Sequence, residues 1–536
     1  MTLTQSALRD VGEDVTASLP RQLEQHAIPG VAVGIVRSSG ETWVKTFGST
    51  RRGGDRRVNE QTIFSVQSIS KTYTATLVLL AVQEGLVSLD EPITSYLPGF
   101  AVRSRFESDA TSKMTLRRLL SHHAGFTHEA PAGGNYFVGK GTFEDHVRSI
   151  QDSWLRYPVG ARYEYSNLGI DLAGFVLQVK SGLAFAEYAR RTLFDPLGLG
   201  HTTFDLDKIR RIRNRARGHD AIESRLPIKI PMVAAGGLYT SVRDACEFVR
   251  FHLLQGSDLL SSDLLAEMYR VAFPLTGQST GYGLCLEICD YRGTRIFRHR
   301  GGGFGFLADM SWVPDSDVGV VVLTNSTNYP MLRQRIVFEA FDRLGALGDP
   351  PTTGRAPASR LPPERLRRLS GTYIGRGSSL RLELRGEELG SVSGDGFEPL
   401  TFASDTEALL PEDEFGPHEI RFVFEEANSP HPAHVVSLRD GSTWSYNNGP
   451  DDPPGPDHEH WDRYLGTFGI KVHGIHVATA ELCRRDGYLV LEFRGAAELS
   501  LRLTEFEPGL FFTSTGEAVD FRVSPPTYAN VPLWRQ

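Results

Sequence analysis

Cysteine is scarce in this chain. Only Cys246, Cys285, Cys289 and Cys483 occur, and no two form a Cys-x-x-Cys pair. That spacing excludes a zinc ribbon and argues against a disulfide framework. Lysine is nearly as scarce, with eight lysines beside 49 arginines in 536 residues. Basic residues as a whole are outnumbered, 57 Lys+Arg against 65 Asp+Glu, for a net charge of −8. A nucleic-acid binder needs a concentrated basic face, so none is expected. No run of 18 or more apolar residues exists, and no membrane-spanning helix is expected. Residues 1–25 contain Arg9, Asp10, Glu13, Asp14 and Arg21 and lack the apolar core of an export signal. A cytoplasmic location is therefore the expectation.

What is present is a globular composition, 40% hydrophobic and 23% charged, in a chain long enough for about three domains. Two proline-rich breaks divide it, Gly348–Pro363 and Gly449–Asp457. They leave a large block, 1–347, and two small ones, 364–448 and 458–536. The large block opens with strand-like runs, Val31–Val36 and Thr42–Phe47. A long apolar helix follows over Lys71–Gln83, closed by Gly85. Further helices are predicted over Asp171–Val179, Val242–Leu254 and Met331–Leu344. Strands return at Tyr282–Ile288, Arg295–His299, Leu307–Val313 and Val318–Thr324. The fold class read from this order is α+β. One antiparallel sheet is built from both ends of the block and flanked by helices, and the inserted helices form an all-helical lobe. The small blocks open alike, with Gly371-Thr-Tyr373 and Gly466-Thr-Phe468, and continue in short alternating runs. Two small antiparallel β-barrels are expected there.

The chemistry converges on a few short motifs. Ser68-Ile-Ser-Lys71 is the only Ser-x-x-Lys in the chain and stands where the apolar helix begins. At i and i+3 the two side chains share one helix face. Burial and the positive helix end disfavour a charged amine, and a neutral Lys71 could take the Ser68 proton. Tyr165-Ser-Asn167 offers a phenol and an amide before a helix. Two similar triplets, Tyr446–Asn448 and Tyr528–Asn530, read as turns in the small blocks. His299-Arg-Gly301-Gly302 reads as a strand end opening a glycine-rich turn. The absent side chains at Gly301 and Gly302 let a substrate approach backbone N–H groups. His123-Ala-Gly125 has the same form but follows a helical stretch. A phosphate loop at Gly301–Gly305 is disfavoured, because no helix follows it.

Ser-x-x-Lys, then Tyr-x-Asn, then His-x-Gly, in that order, resembles the serine β-lactamase and penicillin-binding-protein family. The likeness is to its class C branch of D-alanyl-D-alanine carboxypeptidases, D-aminopeptidases, esterases and acyltransferases. Ile28–Val33, Phe64–Lys71, Gly85–Pro92, Leu116–Gly125, Phe194–Leu199 and Ala235–Leu238 carry it across most of the large block. The resemblance implies Ser68 as acylated nucleophile, Lys71 as its base and Tyr165 as proton shuttle. It implies Asn167 orienting Lys71 and the substrate carbonyl, and an oxyanion hole from the N–H groups of Ser68 and Gly302. His299 stands where most β-lactamases have lysine, which weakens a β-lactamase reading and resembles the D-aminopeptidase. A catalytic domain followed by two barrels is also the D-aminopeptidase arrangement. There a loop of the last barrel enters the active-site mouth.

The expected function is a serine hydrolase acting through an acyl-enzyme, foremost a D-amino-acid peptidase or amidase. An acyltransferase, a peptide-cyclising thioesterase and a carboxylesterase are the alternatives, with a β-lactamase or non-catalytic binder behind them. A small-molecule or short-peptide substrate is expected, with no cofactor and no metal, and a homodimer is compatible. Specificity is expected from the loops around Glu129–Gly141 and Gln278–Tyr282. His122 and His123 read as packed histidines, since no third metal ligand has suitable spacing. Cys285 and Cys289 read as core residues alternating along a strand. Asp457–His460 and Arg210–Arg217 read as solvated charge runs.

Overall fold

The computed structural model describes residues 5–133, 141–220, 232–276, 278–348, 360–376, 378–413, 416–426, 428–472, 475–494 and 499–536. A seven-stranded antiparallel sheet organises the large block. Its strands are β1 (Gly30–Val36), β2 (Thr42–Gly48), β3 (Gly281–Tyr282), β4 (Glu287–Tyr291), β5 (Thr294–Gly303), β6 (Phe306–Val313) and β7 (Val318–Thr324). Their spatial order is β2-β1-β7-β6-β5-β4-β3, so both ends of the block build one sheet, as the sequence implied. Strand β1 is buried on both faces. Val31, Val33 and Ile35 face the core under helices Gln5–Thr16 and Met331–Arg343. Ala32 and Val36 face the larger core shared with the helical lobe. This is the period of two that places alternate side chains on opposite faces. At Gly34 a Cβ would stand 2.3 Å from Cys246 Sγ, so glycine there lets helix Val242–Leu253 sit close on the sheet.

Two helices of the lobe frame the site, α1 (Ser70–Gln83) and α2 (Asn167–Ser181). Helix α1 is buried from Ser70 through Ala81, which explains its apolar sequence all round. Gly85, at φ 70°, turns the chain out of it. Helix α2 starts under a side-chain cap, Ser166 Oγ accepting from Leu168 N–H, and ends at Gly182 with φ 69°. Among the described residues no single helix is long and apolar enough to cross a membrane.

Each small block forms a nine-stranded antiparallel sheet that nearly closes on itself. The repeated Gly-Thr-aromatic opens the first strand of both. Tyr373 and Phe468 are buried in the respective barrel cores. Of the first proline-rich break, 349–359 lies outside the described residues, and its last residue, Pro363, begins a short helix to Leu369.

Three local readings need correction. Strand β5 does not end at His299 but runs on through Gly303, paired with β6 to the end, and the turn comes at Phe304–Gly305. Tyr282–Ile288 is not one strand, because residues 283–286 leave the sheet between β3 and β4. Cys285 therefore does not alternate with Cys289 along a strand. It sits in that excursion at φ 54°, its N–H donating to Leu120 O, while Cys289 lies in β4.

Candidate active site

The segment that carries Ser68 has a strained backbone. Gln67, immediately before Ser68, is at φ 48°, a left-handed conformation that a non-glycine residue holds only when its surroundings enforce it. A single 3-10 turn, Gln67–Ile69, carries Ser68 onto the start of α1. Val66 N–H donates to Leu238 O, and Ser70 Oγ accepts from Leu238 N–H, so the turn is tied on both sides.

Lys71 is completely buried. Its Nζ lies 3.0 Å from Ser68 Oγ, 2.8 Å from Asn167 Oδ1 and 2.8 Å from Ala235 O. Asn167 Oδ1 and the carbonyl can only accept, so they fix two N–H bonds. The remaining position of Nζ faces Ser68, where it serves as N–H donor or as lone-pair acceptor of the hydroxyl proton. The supports come from α2. Asn167 Nδ2 donates to Glu129 Oε1 at 2.8 Å, which orients the amide oxygen toward Lys71. One turn on, Asp171 accepts from Ala235 N–H at 3.0 Å and aims the third acceptor.

Tyr165 precedes the cap of α2. Its ring centroid is 4.9 Å from Lys71 Nζ and 4.3 Å from the His122 ring. His122 is buried, and its Nδ1 accepts from Ser166 N–H. Burial foremost, with the charge of Lys71, holds His122 well below the usual histidine range, so its ring is neutral. His123 turns elsewhere, against Ser121 O and the Phe273 ring.

His299 does line the pocket, but both ring nitrogens are engaged. Nδ1 lies 2.8 Å from Arg300 O, and Nε2 2.8 Å from Tyr282 Oη. A carbonyl only accepts, so the proton is on Nδ1 and Nε2 accepts from the Tyr282 hydroxyl. Burial is the main cause that holds His299 at about 4. The next strand positions carry charge: Arg298 and Arg300 pair with Glu287 at 3.0 and 3.2 Å. Burial would raise the Glu287 carboxyl, but the two guanidinium groups prevail and hold it at about 2.

The glycines divide their work. A Cβ on Gly301 would stand 2.0 Å from Val66 O, so this glycine lets β5 press against the segment that carries Ser68. A Cβ on Gly302 would meet only Leu307 Cδ2, at 3.3 Å. Strand β4 pairs with β5 only as far as Arg298, which leaves Gly301–Gly303 without a strand partner on that side. Gly302 is thus open to the cavity, while Gly301 both lines the cavity and lets β5 pack closely on Val66.

The cavity above Ser68 has a volume of about 640 Å³, the size for a small ligand. Its mouth is made by the first barrel. Gly375, Arg376 and Ser378 come from one turn, and residues from Arg439 to Trp444 from another. Arg376 stacks on the Tyr165 ring at 4.5 Å and contacts His128 Nε2. Among the described residues, none from 458–536 lines the cavity. The Glu129–Gly141 loop contributes Glu129 behind Asn167, and 134–140 of it lies outside the described residues. Sequence reasoning did not single out Glu129, Asp171, Tyr282 and Arg376, which come from four separate stretches and share no motif.

The family model Beta-lactamase matches residues 15–341. The unguisins hydrolase ungD' of Aspergillus campestris is 26% identical over 59% of this chain, which spans 62% of that protein's length. The D-alanyl-D-alanine-carboxypeptidase/endopeptidase AmpH of Escherichia coli is 24% identical over 54% of this chain and 77% of its own. Two solved structures share the fold. An octameric penicillin-binding protein homologue from Pyrococcus abyssi matches with a TM-score of 0.54 and 21% identity, covering 81% of this chain and 99% of its own. D-amino acid amidase from Ochrobactrum anthropi SV3 matches with a TM-score of 0.54 and 21% identity, covering 63% and 99%.

Proposed function

The chain belongs to the beta-lactamase family, serine hydrolases of amides and esters, and from that premise we propose that it is a D-amino-acid peptidase or amidase working through an acyl-enzyme on Ser68. The observation that carries the reading is the buried Lys71 Nζ at 3.0 Å from Ser68 Oγ, with its other two partners fixed. Ser68 Oγ attacks the substrate carbonyl as its proton passes to Lys71 Nζ. The N–H groups of Ser68 and Gly302 receive the oxyanion, a contribution of about 10²–10³ in rate per donor. Tyr165 relays the proton to the leaving amine, and later takes one from the water that releases the acid. Tyr282 borders the acyl group, and His299 positions Tyr282 by accepting its hydroxyl proton.

D stereochemistry is supported by two relatives whose names specify D-amino-acid substrates. A short substrate is supported by the cavity size and by Arg376 across the mouth. A cytoplasmic location and domains at 1–347, 364–448 and 458–536 are part of the proposal. So is assembly into a homo-oligomer, since one solved relative is octameric.

Labelling with a fluorophosphonate probe, read by intact mass, tests the nucleophile. Wild type gains one probe and Ser68→Ala gains none, and equal unlabelled masses would sink the reading. A panel of D- and L-aminoacyl amides, short esters and a chromogenic cephalosporin tests the substrate class. Transfer to an amine is the second reading, favoured by the first-barrel residues that line the cavity where an acceptor would enter. An amine acceptor added with an activated ester separates it, since hydrolysis alone at high acceptor excludes transfer.

A further inference from the structure

Among the described residues the second barrel does not line the cavity, yet it is bound to the segments that hold Tyr165 and Asn167. Its turn after the strand Leu510–Thr513 docks behind the site. Thr515 O accepts from Arg156 Nε at 3.0 Å, from Arg156 Nη2 at 2.8 Å and from Tyr157 Oη at 2.8 Å. Glu517 Oε2 accepts from Thr127 Oγ1 at 2.7 Å, and Glu517 Oε1 lies 3.2 Å from Arg156 Nε. Arg156 in turn holds Glu164, the neighbour of Tyr165, at 2.6 Å. From the other side of the same barrel, Asn530 Nδ2 donates to Glu129 O at 2.9 Å and to Ser153 Oγ at 3.1 Å.

The segment 127–129 receives these contacts on one side and holds the Tyr-Ser-Asn motif on the other. Thr127 O accepts from Ser166 Oγ at 2.6 Å, the hydroxyl that caps α2. His128 O accepts from Asn167 N–H at 3.1 Å, and Glu129 Oε1 accepts from Asn167 Nδ2. Thr127, Glu129, Arg156, Glu164, Ser166, Asn167, Thr515 and Glu517 are all buried, so water does not substitute for these bonds. Gly516, at φ 81°, lets the turn lie against Arg156: a Cβ there would stand 2.5 Å from Arg156 O.

We infer that the second barrel is a positioning device for the proposed acyl-transfer chemistry. Glu517 and Asn530 act through Thr127 and Glu129 to hold Asn167 against Lys71 and Tyr165 over it. The inference rests on the Ser68–Lys71 reading and adds a part of the molecule whose described residues lie outside the cavity. A misplacement of about 1 Å at a catalytic group costs up to 10²-fold in rate.

The test uses the full chain with a nitrophenyl ester turned over by wild type, with kcat and KM measured separately. Glu517→Ala and Asn530→Ala should each lower kcat about 10-fold to 100-fold and leave KM within about twofold. Glu517→Gln keeps an oxygen for Thr127 but sets an amide NH2 against Arg156, so it should lose less kcat than Glu517→Ala. Leu482→Ala weakens the same barrel through its core, on a strand that carries none of the docking residues, and should lower the melting temperature without that kcat loss. Wild-type kcat in Glu517→Ala overturns the inference. So does an equal kcat loss in Leu482→Ala, which would reduce the barrel to a stabiliser. Failure of wild type itself to label at Ser68 would instead refute the underlying reading.

Discussion

Gly301 and Gly302 differ in what a methyl group would meet, and that difference gives the sharpest prediction for the site. In Gly301→Ala the new Cβ would lie 2.0 Å from Val66 O and 2.9 Å from Val66 C. Both are backbone atoms, so no side chain can swing away. Strand β5 and the nucleophile segment must part by about 1 Å or more before the contact becomes an ordinary one. That separates the Gly302 N–H from the Ser68 N–H, which in the proposed mechanism converge on one oxygen. Loss of one oxyanion donor costs about 10²–10³ in rate, so kcat should fall about 100-fold. KM should change little, because the cavity walls remain. Overpacking costs about 1–3 kcal/mol of stability, which a melting curve shows while circular dichroism reports an intact fold. In Gly302→Ala the Cβ meets only the end of the Leu307 side chain, at 3.3 Å, and the N–H donor is retained. Its kcat should stay within about threefold of wild type. The assay is ester turnover by both variants at matched protein concentration. A Gly301→Ala enzyme with wild-type kcat, or a Gly302→Ala enzyme that is the worse of the two, refutes the reasoning.

Acid should destabilise the fold in a window set by histidine. Burial holds His123, His128 and His299 at about 4, and His252 and His434 at about 3, against 6.5 for a free imidazole. Below 6.5 the unfolded chain binds more protons than the folded one, so stability is full above 6.5 and is lost as pH falls toward 4. His146 runs the other way. Burial opposes its charge, but the hydrogen bond and charge of Asp171 prevail and raise it. The melting temperature should be flat from pH 7 to 8 and fall steadily from 6.5 to 4.5, and a flat profile through that range would count against the burial argument. Tyr282→Phe removes the only hydrogen-bond donor that meets His299 Nε2 in a buried setting. It should destabilise by about 1–3 kcal/mol, read by urea denaturation, and an unchanged midpoint would show that water reaches the imidazole.

Sequence periodicity was most informative where contacts are local. Ser68 and Lys71 stand three residues apart on one turn, so their approach needs only a helix, and the fully buried α1 was visible as an apolar run closed by glycine. The same holds for β1 and β7, whose β-branched runs read as strands. What failed was local inference at glycines. Gly301–Gly303 has the composition of a turn, yet β6 pairs with all three. Glycine is needed at Gly301 because another backbone lies 2.0 Å from where its side chain would be, a fact no local window contains. Cys285 failed for a related reason: it leaves the sheet to give its N–H to Leu120 O, a partner 165 positions away. Glu129 and Asp171 are single carboxylates in unremarkable stretches, and only the packing of α2 against α1 makes them supports of Lys71.

The histidine at position 299 changes where charge sits in this pocket. With Nδ1–H given to Arg300 O and Nε2 accepting from Tyr282, the ring is neutral at pH 7, so it offers no cation at this strand position. The adjacent Arg300 does carry charge, but Glu287 offsets it at 3.2 Å. The cation at the mouth is Arg376, on a turn of the first barrel, stacked over Tyr165 and touching His128, which burial foremost keeps neutral. An anionic group entering the cavity therefore meets positive charge from two sides, from the sheet, where one Glu287 is shared by Arg298 and Arg300, and from the first barrel at Arg376. The two barrels then divide the remaining work by position, the first at the mouth and the second behind the wall.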